Sequence, residues 1–145
     1  MNFWRELAEN RVLIASLLGW IIAQILKVIY VLITEKRFDI KRIVGAGGMP
    51  SSHSAFVSAM AVSVGFTEGF SSPVFAMAFV ISFIVMYDAS GVRKAAGDQA
   101  KVINSIQEMF SFEAPVYLKE ILGHTWLEVM VGSILGIVIS LIMFL

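Results

Sequence analysis

The stretch RVLIASLLGWIIAQILKVIYVLI, Arg11–Ile33, is an apolar run long enough to cross a bilayer with some tilt. It is too long for a secretory signal and no small-residue cleavage site follows it, so it is expected to be retained. Gln24 and Lys27 interrupt its later half. An ionisable side chain at that depth is costly in lipid, so Lys27 is expected to face the protein interior or an aqueous cleft, where it is a functional candidate. The alternative is that its stem snorkels to the headgroups.

Working outward, Met1–Asn10 sets Phe3, Trp4 and Leu7 among Arg5, Glu6 and Glu9, which suits a short interfacial segment or a frayed end. On the other side, Thr34–Val44 is a charged connector carrying Lys36, Arg37, Lys41 and Arg42. Three further spans are predicted at about 52–66, 73–88 and 124–145, with Pro73 opening the third after the turn TEGFSS. At about 90–110, Val92, Ala95, Ala96, Gln99, Val102, Ile103, Ile106 and Met109 recur at three and four, with Arg93, Lys94, Asp98 and Lys101 between them. That pattern predicts an amphipathic helix lying at the interface or packed over a site. The fold class expected is therefore an all-α integral membrane bundle of about four transmembrane helices plus an amphipathic interfacial helix, forming one domain over 1–145.

Composition agrees. Of the 145 residues 58% are hydrophobic and only 15% charged, with a mean hydropathy of +0.82, too apolar for an ordinary soluble domain. The zero net charge argues against a nucleic-acid partner. The lack of cysteine excludes disulfides and thiolate metal sites. Four crossings put both termini on one face and gather Lys36, Arg37, Lys41, Arg42, Arg93, Lys94, Lys101 and Lys119 on the other. By the positive-inside tendency that basic face is cytoplasmic, in a multi-pass protein of the plasma or inner membrane. Some of these cations are equally suited to holding a phosphate, which confounds the rule.

Chemistry concentrates in GAGGMPSSHSA, Gly45–Ala55, where glycines let backbone N–H groups converge and Pro50-Ser51-Ser52 forms a helix entry beside His53. The free N–H groups and the dipole of such a helix favour an anion there. The other histidine, His124, stands four residues before Glu128. On a helix the two share a face, so the carboxylate could hold one ring nitrogen and leave the other free to attack. The same spacing also serves metal ligands, but only one further histidine exists to complete such a site. Simple helix capping at an interface is the plainer alternative for either ring. Lys27, His53, Asp88 and His124 all fall at one end of their predicted spans, so both histidines are expected at one depth.

These residues resemble a family. Pro50-Ser51-Ser52-His53 is similar to the Pro-Ser-Gly-His signature of the type 2 phosphatidic-acid phosphatases, relatives of the vanadium haloperoxidases, and His124-x-x-x-Glu128 is similar to the His-x-x-x-Asp of their last motif. The whole chain most resembles the small, divergent branch of that superfamily. The resemblance implies a lipid phosphate phosphatase with His124 as nucleophile through a phosphohistidine, Glu128 orienting it and His53 as general acid. It implies no metal or other cofactor. Ser51, Ser52 and the backbone of Gly47 and Gly48 would then be neutral donors to a phosphomonoester or diphosphate. The family's Arg-Pro motif and its Ser-Arg pair before the last histidine are missing, so the phosphate-binding cations are reassigned to Lys27, Arg42, Arg93 and Arg37. Asp88 is expected to pair with one of them.

The partners expected are a lipid phosphate substrate and membrane lipids. Phosphatidic acid, phosphatidylglycerophosphate and a polyprenyl diphosphate are all open, and a cytoplasmic site favours a phospholipid-biosynthetic phosphate. So thin an enclosure makes a homodimer reasonable. Gly132-x-x-x-Gly136 suits either close internal packing or dimerisation. The missing cations leave a second reading, a non-catalytic phosphate- or lipid-binding or transport protein that kept the pocket. A third is a purely structural assembly partner.

Overall fold

The computed structural model describes residues 2–36, 48–110 and 117–145, and every regular element among them is an α-helix. In chain order these are α1 (Phe3–Glu9), α2 (Arg11–Glu35), α3 (Ser52–Glu68), α4 (Pro73–Ser90), α5 (Val92–Met109) and α6 (Trp126–Phe144). Local chemistry sets their starts. Asn10, Ser51, Ser72 and Thr125 each accept a backbone N–H at the head of the helix that follows, and Pro73 occupies the first turn of α4.

Three helical stretches, Arg11–Thr34, Pro73–Met109 and Trp126–Phe144, are long and apolar enough to cross a bilayer. Only 28%, 22% and 28% of their apolar windows is buried within the protein, so most of that surface requires lipid around it. The chain is an integral membrane helical bundle. The second stretch contains the break at Gly91, where α4 gives way to α5.

α3 differs from the other three. Its 17 residues reach only about 25 Å at 1.5 Å per residue, and most of its small side chains are buried. It runs through the middle, with α2, α4 and α6 packed around it. The packing depends on glycine. A Cβ on Gly136 of α6 would collide with the Ala55 carbonyl oxygen, one on Gly132 with that of Ser51, and one on Gly19 of α2 would stand 3.0 Å from the Ala55 oxygen. The Gly132/Gly136 pair thus serves contact within the chain, the close approach that small residues permit in a bilayer. Serine hydroxyls cross the same interfaces: Ser58 with Ser133 at 2.8 Å, Ser63 with Ser140 at 2.9 Å, and Ser82 donating to the Val57 carbonyl at 2.8 Å. Each satisfies a polar group that lipid could not.

The starts of α2 and α4 meet the ends of α3 and α6 at one end of the bundle. There Phe66 stacks on Phe144 with ring centroids 5.5 Å apart, the Arg11 guanidinium lies 4.3 Å from the Phe144 centroid and also donates to the Met143 carbonyl, and Phe70 packs on Phe75. The opposite ends of all four helices gather Lys27, His53, Asp88 and the approach to His124.

α5 was expected either at the interface or packed over the site, and its exposed apolar stripe fits the first placement. Its apolar stripe does not cover the site: Val92, Val102, Ile106 and Met109 are turned outward, Met109 with 76% of its surface exposed. The buried stripe is instead Gly97, Ala100 and Asn104, and it holds an extended strap of residues 117–124.

Candidate active site

Four segments build the site: the entry of α3, the strap before α6, and the ends of α2 and α4. Ser51 caps α3, its hydroxyl accepting from the Ser54 N–H at 3.3 Å and the Ser54 hydroxyl at 2.9 Å. Its backbone N–H donates to the Glu128 carbonyl at 3.1 Å, pinning this entry to the head of α6. Ser51 and Ser52 are buried, whereas His53, one residue on, is exposed.

The strap delivers the other histidine. The Asn104 side chain acts as a surrogate strand: its amide donates to the Leu118 carbonyl at 2.8 Å and to Glu120 Oε1 at 2.9 Å, while its oxygen accepts the Leu118 N–H at 3.0 Å. Gly97 leaves room for the strap, since a Cβ there would stand 2.6 Å from the Glu120 oxygen. Gly123 takes φ +74° against the backbone of Lys94, a conformation and a closeness that favour glycine. The strap ends with the His124 N–H donating to the Ala89 carbonyl at 2.8 Å, which ties it to the end of α4.

The last helix begins at Trp126, two residues later than the expected span, because Thr125 and Glu128 form a capping box. The Thr125 hydroxyl accepts the Glu128 N–H at 3.3 Å and the Glu128 carboxylate accepts the Thr125 N–H at 2.8 Å. His124 and Glu128 therefore do not share a helical face. They meet because the capping geometry folds the carboxylate back, placing Oε2 at 3.3 Å from His124 Nδ1. With the carboxylate on Nδ1, that nitrogen carries the proton and Nε2 presents its lone pair.

His53 and His124 come together, ring centroids 6.3 Å apart with an interplanar angle of 62°. His124 precedes the last span and keeps 4% of its surface exposed. Burial pushes its pKa below the ordinary 6.5; Glu128 opposes this by charge and hydrogen bond, and the charges of Lys27 and His53 add to the lowering.

Lys27 is enclosed, with 1% of its surface exposed, so the interior placement holds over snorkelling. The Gly48 backbone lies along its stem, where a Cβ would stand 3.5 Å from Cγ and Cδ. Its charge acts on both rings. Arg93 Nε donates to Asp88 Oδ2 at 2.6 Å, and both charges act on His53. Of the predicted set the fold thus brings together Lys27, Gly48, Ser51, Ser52, His53, Asp88, Arg93, His124 and Glu128. Arg37, Arg42 and Gly47 lie outside the described residues. Sequence reasoning missed Asn104 and Gly123. The available signal was the small and polar stripe Gly97, Ala100, Asn104, opposite the apolar stripe that drew the eye.

Fold and cluster together define a helical membrane protein organised around a histidine pair at one end of the bundle. The chain belongs to the divergent PAP2 family, whose model matches residues 8–139. It is 38% identical over 152 residues to YuiD of Bacillus subtilis (strain 168), described as an uncharacterized membrane protein; the match covers 95% of this chain and 96% of that one. No solved structure matches the chain.

Proposed function

We propose that the protein is a membrane-embedded phosphatase that hydrolyses a phosphomonoester or diphosphate of a lipid through a histidine nucleophile. The observation that carries this reading is the pair of rings 6.3 Å apart, one of them held by a carboxylate on Nδ1. In the first step His124 Nε2 attacks phosphorus, the bond from phosphorus to the lipid oxygen breaks, and protonated His53 gives its proton to the leaving oxygen. In the second, water attacks the phosphohistidine while neutral His53 takes the water proton. Inorganic phosphate leaves and both rings return to their starting states. Lys27 and Arg93 supply positive charge to the non-bridging oxygens. Glu128 keeps the His124 tautomer and supports its developing positive charge, while burial keeps the resting ring neutral and nucleophilic.

The basic connectors favour a site on the cytoplasmic face. Both claims meet one experiment, phosphate release from phosphatidic acid with no metal added, run with purified protein and with sealed vesicles of either orientation. Wild type is expected to release phosphate and to yield a labelled, acid-labile phosphohistidine on rapid quench, whereas His124→Ala gives neither. Substrate added outside is expected to be cleaved by inverted vesicles only. Equal release by wild type and His124→Ala would reject the mechanism. Phosphate binding without a trapped intermediate would favour the non-catalytic reading, which the missing arginine motifs support.

A further inference from the structure

We infer that the seam between α4 and α6 seats a hydrocarbon chain of the lipid whose phosphate lodges between the two histidines. The inference rests on the phosphatase reading for its headgroup and on a separate feature for its tail. α4 and α6 both pack on α3 but barely on each other, which leaves a groove open to the bilayer.

Two adjoining hollows occupy this groove. The upper, about 220 Å³, is walled by Tyr87 and Phe83 on α4 and by Trp126 and Met130 on α6. The deeper, about 110 Å³, continues through Phe83, Met86 and Ser133 to Phe79 and Ile137. α3 keeps the floor low because it offers only Ser58, Ala61 and Val62 there. The hydroxyls of the floor are already satisfied, Ser58 bonding Ser133 at 2.8 Å with Met86 sulfur at 3.8 Å, so the groove presents apolar surface. Phe83 and Tyr87 stack with centroids 6.4 Å apart and stiffen one wall.

Position and length select the occupant. The upper mouth adjoins the site, because Tyr87 precedes Asp88 and Trp126 and Val129 flank the helix head that carries Glu128. From Tyr87 to Phe79 is about 12 Å and from Trp126 to Ile137 about 16 Å at 1.5 Å per residue. The groove therefore runs from the headgroup level about halfway through a hydrocarbon core of about 30 Å, the depth of one leaflet's chain. A lipid tail is as apolar outside the groove as in it, so the gain is positional: the chain fixes where its phosphate stands. A larger cleft, about 610 Å³, lies at the opposite end, beside Glu9, Arg11 and Glu68. Its carboxylates and its distance from the histidines fit a phosphate substrate poorly.

The test uses the full chain in nanodiscs with phosphatidic acid bearing a photoreactive diazirine in its acyl chain, and the matching diacylglycerol as background. Phosphatidic acid is expected to label α4 and α6 peptides around Phe83, Met86 and Met130 over that background by roughly fivefold, the ratio given by about 1 kcal/mol of headgroup anchoring, since the two probes share one acyl chain. Ser133→Phe, which fills the groove, is expected to remove the excess; Ser133→Ala, which removes only the hydroxyl, is expected to keep it. Equal labelling by both probes, labelling near Arg11, or cross-linking to a second copy of the chain would overturn the inference, and wild type alone decides this should Ser133→Phe fail to fold. Phosphate release measured on the same samples separates the two claims. Labelling of the groove without release sinks the phosphatase and keeps the seat, whereas release with labelling elsewhere does the reverse.

Discussion

At one end of the bundle Phe66, Phe144, Phe70 and Phe75 close on one another beneath the Arg11 guanidinium; at the other, Lys27, His124 and Asn104 are polar groups enclosed by protein. The first end is held by ring stacking and a cation–π contact, which tolerate small shifts because neither depends on one angle. The second is held by hydrogen bonds from the cap of α3, the Thr125–Glu128 box and the Asn104 brace, each directional and each fixing a group that burial would otherwise penalise. Tight backbone contact along α3 joins the two ends. The histidine pair is placed where geometry is over-determined, and the opposite end is made of aromatic rings.

The largest test of this contrast is Glu128→Gln. Glutamine keeps the capping box but loses the charge on His124, so the maximal rate of phosphate release is expected to fall by about 10²–10⁴-fold while the helix stays intact. The pH profile carries the sign. Burial already holds His124 below 6.5, so the acid limb of kcat/KM should lie below that value in wild type. Glu128 raises this pKa, so its neutralisation is expected to move the limb further toward acid. A limb that stays put or moves upward would show that His124 is not the group titrating.

A middle-sized effect compares glycines at the two ends. Gly132→Ala drives a Cβ into the Ser51 backbone, whereas Gly65→Ala meets only the ring of Phe70, which is half exposed and can turn away. The first is expected to destabilise by about 1–3 kcal/mol and the second by less than about 1 kcal/mol, read from thermal unfolding in detergent. Equal losses would mean that the site end is no more tightly specified than the aromatic end.

The smallest expected effect is that of Asn104→Ala, which releases the strap that carries His124 while deleting none of the side chains proposed to meet substrate. A fall of about tenfold in kcat with KM nearly unchanged is expected, the signature of a displaced nucleophile rather than a lost binding contact. A drop in melting temperature with kcat unaltered would make Asn104 structural only.

Much of this was legible from residues alone. Apolar runs, Pro73 and the serines before α3 and α4 mark helices to within a few residues, because caps and hydrophobic length act locally. The common depth of Lys27, His53, Asp88 and His124 followed from counting along those runs. The proximity of His124 to Glu128 was anticipated for the wrong reason: a shared helix face was expected, and a folded-back cap produces it. The stripe of α5 left two placements open because apolar residues at three and four show which face is greasy without saying whether lipid or protein covers it.

The sequence by itself determined a membrane bundle with Lys27, Asp88 and both histidines collected at one end, since charge in hydrocarbon is so costly that its placement along an apolar run fixes its depth. Only the tertiary structure decided that Asn104 holds the strap, that Gly132 and Gly136 close on α3, that Arg93 takes Asp88, and that a groove remains between α4 and α6. Those outcomes depend on how closely backbones distant in sequence approach one another, and that distance is set by the fit of all four helices at once.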